Sequence, residues 1–475
     1  MFMERGKKMA FNAILITDTH YFETKLGGEG EAYERRSFTD QKCVAETGAI
    51  LKVAFKQIAE DKSVDTILIP GDLVYRGEYE SHVTFREMLR DLKAQGKKIY
   101  ITIARHDYAT AEPDYVSQPK GFIGNEEVDV EGMPREKLRE FYYEFGYEQA
   151  ISEHEKTISY VAQLNDNIRL LAINCDGDFH SFKGLYDDQM EWIKEQVEDA
   201  HKAGCYIFAI MHYPLIPGSP ILQLIDDAKI TDWQKRADEL ADLGLDFILT
   251  GHMHMQSCNT HVSPAGNKIT DICTGSIVGC PSAYRKLTFN DNGTVNVRSY
   301  KIDDFEWDKG DMDADEYFKW RFDRKIVTAI DGMAYNFDDF AGYFGGAEKL
   351  GKLKPAITIV GKILQKLTIG GVGRMFCFKV DKSIKKVLLK DLSVELVRNV
   401  FCGDQPYTEG TPVYEAVVKL FKRLNPILKK VEKKVGEKNP LFSDITGLFL
   451  SLIGKEEKLD NNCDLQLNYN YEVKE

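Results

Sequence analysis

Several patterns that would narrow the reading at once are absent. The nine cysteines, at positions 43, 175, 205, 258, 273, 280, 377, 402 and 463, form an odd set with no C-x-x-C spacing. Most lie in apolar runs such as CYIFAIMH (205–212), so they read as reduced, buried thiols and exclude a disulfide scaffold. No run reaches the ~18 uninterrupted apolar residues of a membrane span. The opening MFMERGKKMAFNAILITD lacks a cleavage site of small residues, which argues against a signal peptide and for a cytoplasmic protein. No internal repeat or low-complexity tract occurs. A general basic surplus is missing too: the formal charge is −13, which excludes a protein that coats nucleic acid over its whole surface.

What is present is an ordinary globular composition, 43% apolar and 29% charged over 475 residues, enough for two or three domains. The charge is uneven. Between Glu348 and Lys438 there are 20 Lys and Arg against 9 Asp and Glu, a local +11, so the rest of the chain carries −24. The first 300 residues alternate strand-like runs, NAILIT (12–17), DTILIP (65–70), KIYITIA (98–104), IRLLAIN (168–174), CYIFAIM (205–211) and DFILT (246–250), with helical periodicity at about 41–61, 78–95, 187–203 and 231–243. That alternation predicts an α/β domain with a largely buried sheet. Short strands follow, NKITDICT, AYRKLTFN and TVNVRSYKI, the last two joined through NDNG (290–293) as a hairpin. The expected organisation is a first domain over 1–302, an acidic linker at 303–312, and a mainly helical domain over 313–475. In the tail, CDLQLNYNYEV (463–473) alternates with period two, as a strand returning to the first domain would.

Polar residues cluster where the strand-like runs stop, the place at which α/β folds build sites. Asp18 and His20 follow the first run, Asp72 the second, His106 and Asp107 the third, His212 the fifth, and His252 and His254 the sixth. Residues two apart in an extended segment project to one side, so Asp18 with His20, and His252 with His254, are expected to pair on a metal. One such residue alone is more often a cap or a turn former, and His82, His154, His180, His201 and His261 keep that reading. Five strand ends converging do not. Two Asp and four His form a mixed nitrogen and oxygen set suited to Zn, Mn or Fe.

Taken together, DTH (18–20), GD (71–72), RHD (105–107), HYP (212–214) and GHMH (251–254) resemble the calcineurin-like metallophosphoesterases, whose pattern is D-x-H, G-D, G-N-H-[D/E], H and G-H-x-H. The resemblance covers roughly residues 10–302. It implies a four-layer α-β-β-α sandwich with two mixed sheets and one or two divalent ions per chain. Asp18, His20 and His254 would hold the first ion, His212 and His252 the second, with Asp72 bridging. It implies hydrolysis of a phosphate mono- or diester by attack of metal-bound hydroxide. His106 would protonate the leaving oxygen, with Asp107 orienting it and favouring its imidazolium form.

The motif Asn is replaced by Arg105, which has five donors and no acceptor. A unit charge ~4 Å from a divalent ion costs on the order of 8 kcal/mol at an effective dielectric of ~20, before carboxylates offset it. Three readings follow: Arg105 grips a phosphate oxygen of the substrate, the preferred one; Arg105 lies outside the ligand shell of a full metal pair; or catalysis has decayed and the module binds a partner protein or an anionic membrane surface.

Around the site, Tyr33, Arg35 and Arg36 in the Gly-rich stretch 21–38 and Tyr108 after the His-Asp pair are candidate substrate contacts. The irregular segment 113–134 reads as a lid or specificity loop, while Asp176 and His180 read as turn formers. The C-terminal helices carry Lys on one side and aliphatic residues on the other, which predicts a bundle rather than a membrane-surface element. The basic segment lacks interleaved aromatics, so no nucleic-acid partner is expected. A phosphate ester is the expected substrate.

Overall fold

The computed structural model describes residues 10–110, 118–176, 183–342, 351, 354–404, 406–436, 443–454 and 460–467. The chain divides into two compact units, one made of Met1–Gly218, Leu222–Phe318 and Leu459–Glu475, the other of Ser219–Ile221 and Lys319–Lys458.

The first unit holds fifteen strands among the described residues. In chain order they are β1 (Phe11–Leu15), β2 (Thr66–Pro70), β3 (Lys98–Thr102), β4 (Lys120–Ile123), β5 (Glu126–Asp129), β6 (Ala150–His154), β7 (Ser159–Asn165), β8 (Ile168–Ile173), β9 (Tyr206–Met211), β10 (Phe247–Thr250), β11 (Ser257–Val262), β12 (Lys268–Cys273), β13 (Ala283–Phe289), β14 (Thr294–Lys301) and β15 (Asn462–Gln466). They form a six-stranded sheet in the order β15-β14-β13-β1-β2-β3 and a seven-stranded sheet in the order β11-β12-β10-β9-β8-β7-β6. Both are mixed: β1, β2 and β3 run parallel with β13 antiparallel beside β1, while β8, β9, β10 and β12 run parallel, flanked by antiparallel β7 and β11.

The central strands β2, β8, β9 and β10 are buried along their whole length because both faces of each sheet are covered there. Tyr206, Phe208 and Ile210 of β9 join Ala13, Leu15 and Leu68 of the first sheet in one core, whereas the alternating Ile207, Ala209 and Met211 pack on the helices Asp187–Lys202 and Trp233–Asp242. On the first sheet, Ile14, Ile67 and Ile69 face away from that shared core and are buried as well. The helices Thr47–Glu60 and Tyr79–Ala94 lie in the crossovers between its parallel strands, and the right-handed sense that such connections take puts them over that face. The layers are therefore helix, sheet, sheet, helix.

Two details differ from expectation. The stretch 113–134 is not irregular throughout, because β4 and β5 pair as a hairpin within it; residues 111–117 lie outside the described part. Residues 303–312 fall inside the first compact unit rather than between units. The tail strand pairs antiparallel with β14, Cys463 opposite Val297. In the second unit, the helices Ile369–Met375, Leu389–Phe401 and Pro412–Gly436 share a core of Ile369, Leu392, Val413 and Ala416. No described helix is long and apolar enough to cross a membrane.

Arg285 of β13 is buried and ties three segments: Nε donates to Gln256 Oε1 at 2.9 Å, and Nη2 to the carbonyls of Cys273 and Asp460, each at 2.9 Å. Removing the guanidinium strands these acceptors and leaves a cavity, so Arg285→Ala is expected to cost ~3–5 kcal/mol in urea unfolding. A loss below about 1 kcal/mol would show that water replaces the arginine.

Candidate metal centre

The ends of β1, β2, β3, β9 and β10 deliver their polar residues to one place, through tight turns. Asp18, His20, Asp72, His252 and His254 all have positive φ, between 38° and 67°, a backbone region visited mostly by Asp, Asn and His among residues with a side chain. The pairs at 18/20 and 252/254 thus converge by left-handed turns and not by extended alternation. Two glycines permit the crowding. A Cβ on Gly71 would lie 2.8 Å from Ala104 Cβ and 3.1 Å from His212 Nδ1, and one on Gly251 would lie 2.4 Å from Asp18 Oδ2.

Two donor clusters result, Asp18 with His20 and His254, and Asp72 with His212 and His252. In the first, His20 Nε2 is 3.0 Å from His254 Nε2, and Asp18 Oδ1 lies 3.6 and 3.3 Å from the two. In the second, His212 Nε2 lies 3.2 Å from both Asp72 Oδ2 and His252 Nδ1. Asp72 Oδ2 is also 3.6 Å from His20 Nε2, so one carboxylate oxygen stands between the clusters. Outer bonds fix which nitrogen faces inward: His212 Nδ1 donates to the Pro70 carbonyl at 2.9 Å, and His252 Nε2 to the Asp227 carbonyl at 2.6 Å. Burial holds His20 near about 4 and His252 near about 3, so both rings are neutral at pH 7 and keep a lone pair. These lone pairs and the buried carboxylates, at these separations, fit a divalent ion in each cluster.

His106 and Asp107 lie in the single turn Arg105–Asp107 after β3, but their relation is not the expected one. Asp107 does not touch the His106 ring. Its carboxylate accepts four backbone N–H groups, from Asp72 (3.1 Å), Leu73 (2.6 Å), Val74 (3.2 Å) and Ala104 (2.8 Å), and so ties the turn after β2 to the turn after β3. His106 Nδ1 donates instead to the Tyr75 carbonyl at 2.7 Å. Burial, with the nearby Lys42 ammonium, holds its pKa well below the usual histidine range against the pull of Asp72. The imidazolium form is therefore disfavoured, contrary to the expectation from an adjacent acid.

Arg105 turns to a carboxylate of the chain itself. Its guanidinium forms a two-pronged pair with Asp227, Nη1 to Oδ1 at 2.9 Å and Nη2 to Oδ2 at 2.7 Å, and Lys183 Nζ donates to the same Oδ1 at 2.9 Å. Tyr108 is buried, its hydroxyl donating to Asp176 at 2.7 Å, which gives it no surface for a substrate. Tyr33 stacks in a core with Phe22 and Phe122. Arg35 is exposed 3.6 Å from Glu31 on its own helix; Arg36 lies in the electrostatic field of Tyr75, Glu127 and Asp40. Of the other histidines, His82 braces the site from behind, bonding the Asp107 carbonyl at 2.9 Å and the Tyr142 hydroxyl at 2.7 Å. His154 and His261 make local bonds to Thr157 and Asp238, and His180 lies outside the described residues. Asp227, Lys183 and Lys42 were not singled out in the sequence, and nothing local marks them: Asp227 lies 122 residues from Arg105.

Residues 11–256 match the model of the calcineurin-like phosphoesterases, and the chain belongs to that family. Among solved structures, a dimetal phosphatase from Danio rerio is similar at 12% identity and a TM-score of 0.40, with 61% of this chain and 95% of that one covered. Purple acid phosphatase PPD1 from yellow lupin (Lupinus luteus) is similar at 14% identity and 0.42, covering 62% and 52%. GAP50 of Plasmodium is similar at 11% identity and 0.32, covering 62% and 88%. Among curated protein sequences, none matches the chain.

Two outcomes are expected. Asp107→Ala strands four N–H groups beneath the site, so it should cost ~3 kcal/mol or more in denaturant unfolding and lower the metal content per chain; unchanged metal content would show that the turns hold without it. In the metal-free protein, burial opposes protonation of His212, but Asp72 outweighs it and raises the pKa to about 9. A raised histidine pKa stabilises fully below the unfolded value of ~6.5 and loses that contribution as pH climbs to about 9. The melting temperature of chelator-treated protein should therefore fall over that window, with a shallower fall in His212→Asn.

Proposed function

We propose that the first unit, broadly residues 1–302, is the catalytic domain of a metal-dependent phosphoesterase, and that the helical C-terminal region is an accessory domain. The observation that carries this is the position of Asp72 Oδ2, 3.2 Å from His212 Nε2 and 3.6 Å from His20 Nε2: one buried carboxylate oxygen stands between the set of Asp18, His20 and His254 and the pair of His212 and His252. Asp18, His20 and His254 would hold one ion, and His212 and His252 the other, with Asp72 common to both. Mn, Zn or Fe suits that set. When bound, such a pair polarises a phosphoryl group and makes a water acidic enough to attack near neutral pH.

The chain's own residues supply the rest. His106 gives its Nδ1–H to Tyr75, so the resting ring has its lone pair at Nε2, the atom at which it would take up the proton released by the attacking water and pass it to the leaving oxygen. Asp107 positions the turns and does not exchange protons. Arg105 is paired with Asp227, whose charge lessens its repulsion of an ion in the second cluster and so supports two ions per chain rather than one. The substrate is a phosphate ester. The nine free thiols suit a cytoplasmic setting.

Elemental analysis after Mn or Zn loading should find two ions per chain, and the loaded protein should hydrolyse p-nitrophenyl phosphate. Asp72→Asn should lower kcat/KM by on the order of 10³-fold. Two bound ions with no turnover of any phosphate ester would overturn the reading in favour of a silent binding module.

A further inference from the structure

Arg105 and Lys183 approach from different strand-end loops and meet over one ring, each cation 5.9 Å from the centroid of Tyr213. Both donate to the Asp227 carboxylate, Arg105 through two nitrogens and Lys183 through one. The Arg105 and Lys183 side chains are 15% and 25% exposed, that of Asp227 44%. The acid is thus the member of the trio most open to solvent, held by two cations that are mostly covered. Within this trio one carboxylate faces two cations. A guanidinium fork beside a point-charge ammonium is a recognition set for phosphate. The set borders the second donor cluster, because the Asp227 carbonyl accepts from His252 Nε2 at 2.6 Å and the Tyr213 ring lies 4.1 Å from that of His252, centroid to centroid.

We propose that Arg105 and Lys183 form a phosphate-binding subsite that the Asp227 carboxylate fills in the free protein, and that the substrate is a phosphate monoester whose dianion displaces Asp227. In catalysis this rests on the phosphoesterase reading above; the anion binding itself does not. Asp227 swings out on its side chain while its carbonyl stays on His252, so the subsite exchanges occupants without disturbing that ligand's tautomer. The charge count sets the preference. A monoester dianion matches both cations, whereas a diester carries one negative charge, the same as the carboxylate it must displace. Asp227 therefore acts as a selectivity filter against monoanions, and as a counter-charge that keeps Arg105 from repelling an ion when no substrate is present.

The test uses the full Mn-loaded chain. Binding of inorganic phosphate is measured by calorimetry, and turnover with p-nitrophenyl phosphate and bis(p-nitrophenyl) phosphate, metal content being checked for each variant. Lys183→Ala and Arg105→Ala should each weaken phosphate binding by ~10–100-fold, the effect of losing a charge-assisted hydrogen bond. Both should also shift the ratio of monoester to diester kcat/KM towards the diester. Asp227→Asn should tighten phosphate binding and lower the KM for the monoester. Unchanged phosphate affinity in Lys183→Ala and Arg105→Ala, or weaker binding in Asp227→Asn with full metal content, would overturn the subsite. Lys183, the more exposed of the two cations, carries the test should Asp227→Asn or Arg105→Ala lose metal. Phosphate affinity that responds to these substitutions in a protein that turns over neither ester would keep the subsite and reject the hydrolytic reading.

Discussion

Two carboxylates, Asp18 and Asp72, are buried between the strand ends of two sheets, and the site is organised around their charge. A buried carboxylate persists only where other groups stabilise it. Here burial works against ionisation, and the facing histidines overcome it: His254 and His20 for Asp18, His212 and His106 for Asp72. Backbone donors add to this, since the His252 N–H reaches Asp18 Oδ2 at 3.0 Å and the His106 N–H reaches Asp72 Oδ1 at 3.2 Å. The left-handed turns are what let so many donors reach so small a volume. Conformational cost at those positions is thereby coupled to electrostatic gain at the centre.

Much of this was legible because each ligand-bearing turn follows an apolar run that can only be a buried strand. NAILIT, TILIP, YIFAIM and FILT fix where the chain stops being extended, and a polar residue there lies at a sheet end whatever the details of pairing. The family resemblance then supplied the grouping of Asp18, His20, Asp72, His212, His252 and His254. What the pattern did not carry was direction. Adjacency suggested that Asp107 serves His106, yet a carboxylate within reach of four free N–H groups is held by them rather than by a neighbouring ring that has already found the Tyr75 carbonyl. Spacing likewise implied extended pairs where the backbone turns left-handed.

Arg105 shows the limit of local reading most directly. Its chemistry, five donors and a fixed charge, was plain, and so was its conflict with a metal. The resolution lay in a carboxylate 122 positions away, on a short turn with no motif of its own. An arginine at this position is tolerable only where such a partner exists, so the residue and its distant acid form one unit. Tyr108 and Tyr33 were misjudged for a related reason. An aromatic in a polar loop looks available, but Tyr33 folds into a small core with Phe22 and Phe122, and Tyr108 is buried with its hydroxyl on Asp176.

The strand β15 closes the outer edge of the six-stranded sheet beside β14, yet some 160 residues separate the two in sequence. On a ribosome, the sheet is therefore laid down with β14 as an open rim, and its matching strand emerges only after that long interval. An unpaired rim of this kind is a template for other chains. The interval between synthesis of β14 and of β15 is thus when the nascent protein is most exposed to mispairing, and stop codons or cleavage just ahead of residue 460 would leave that vulnerability permanent.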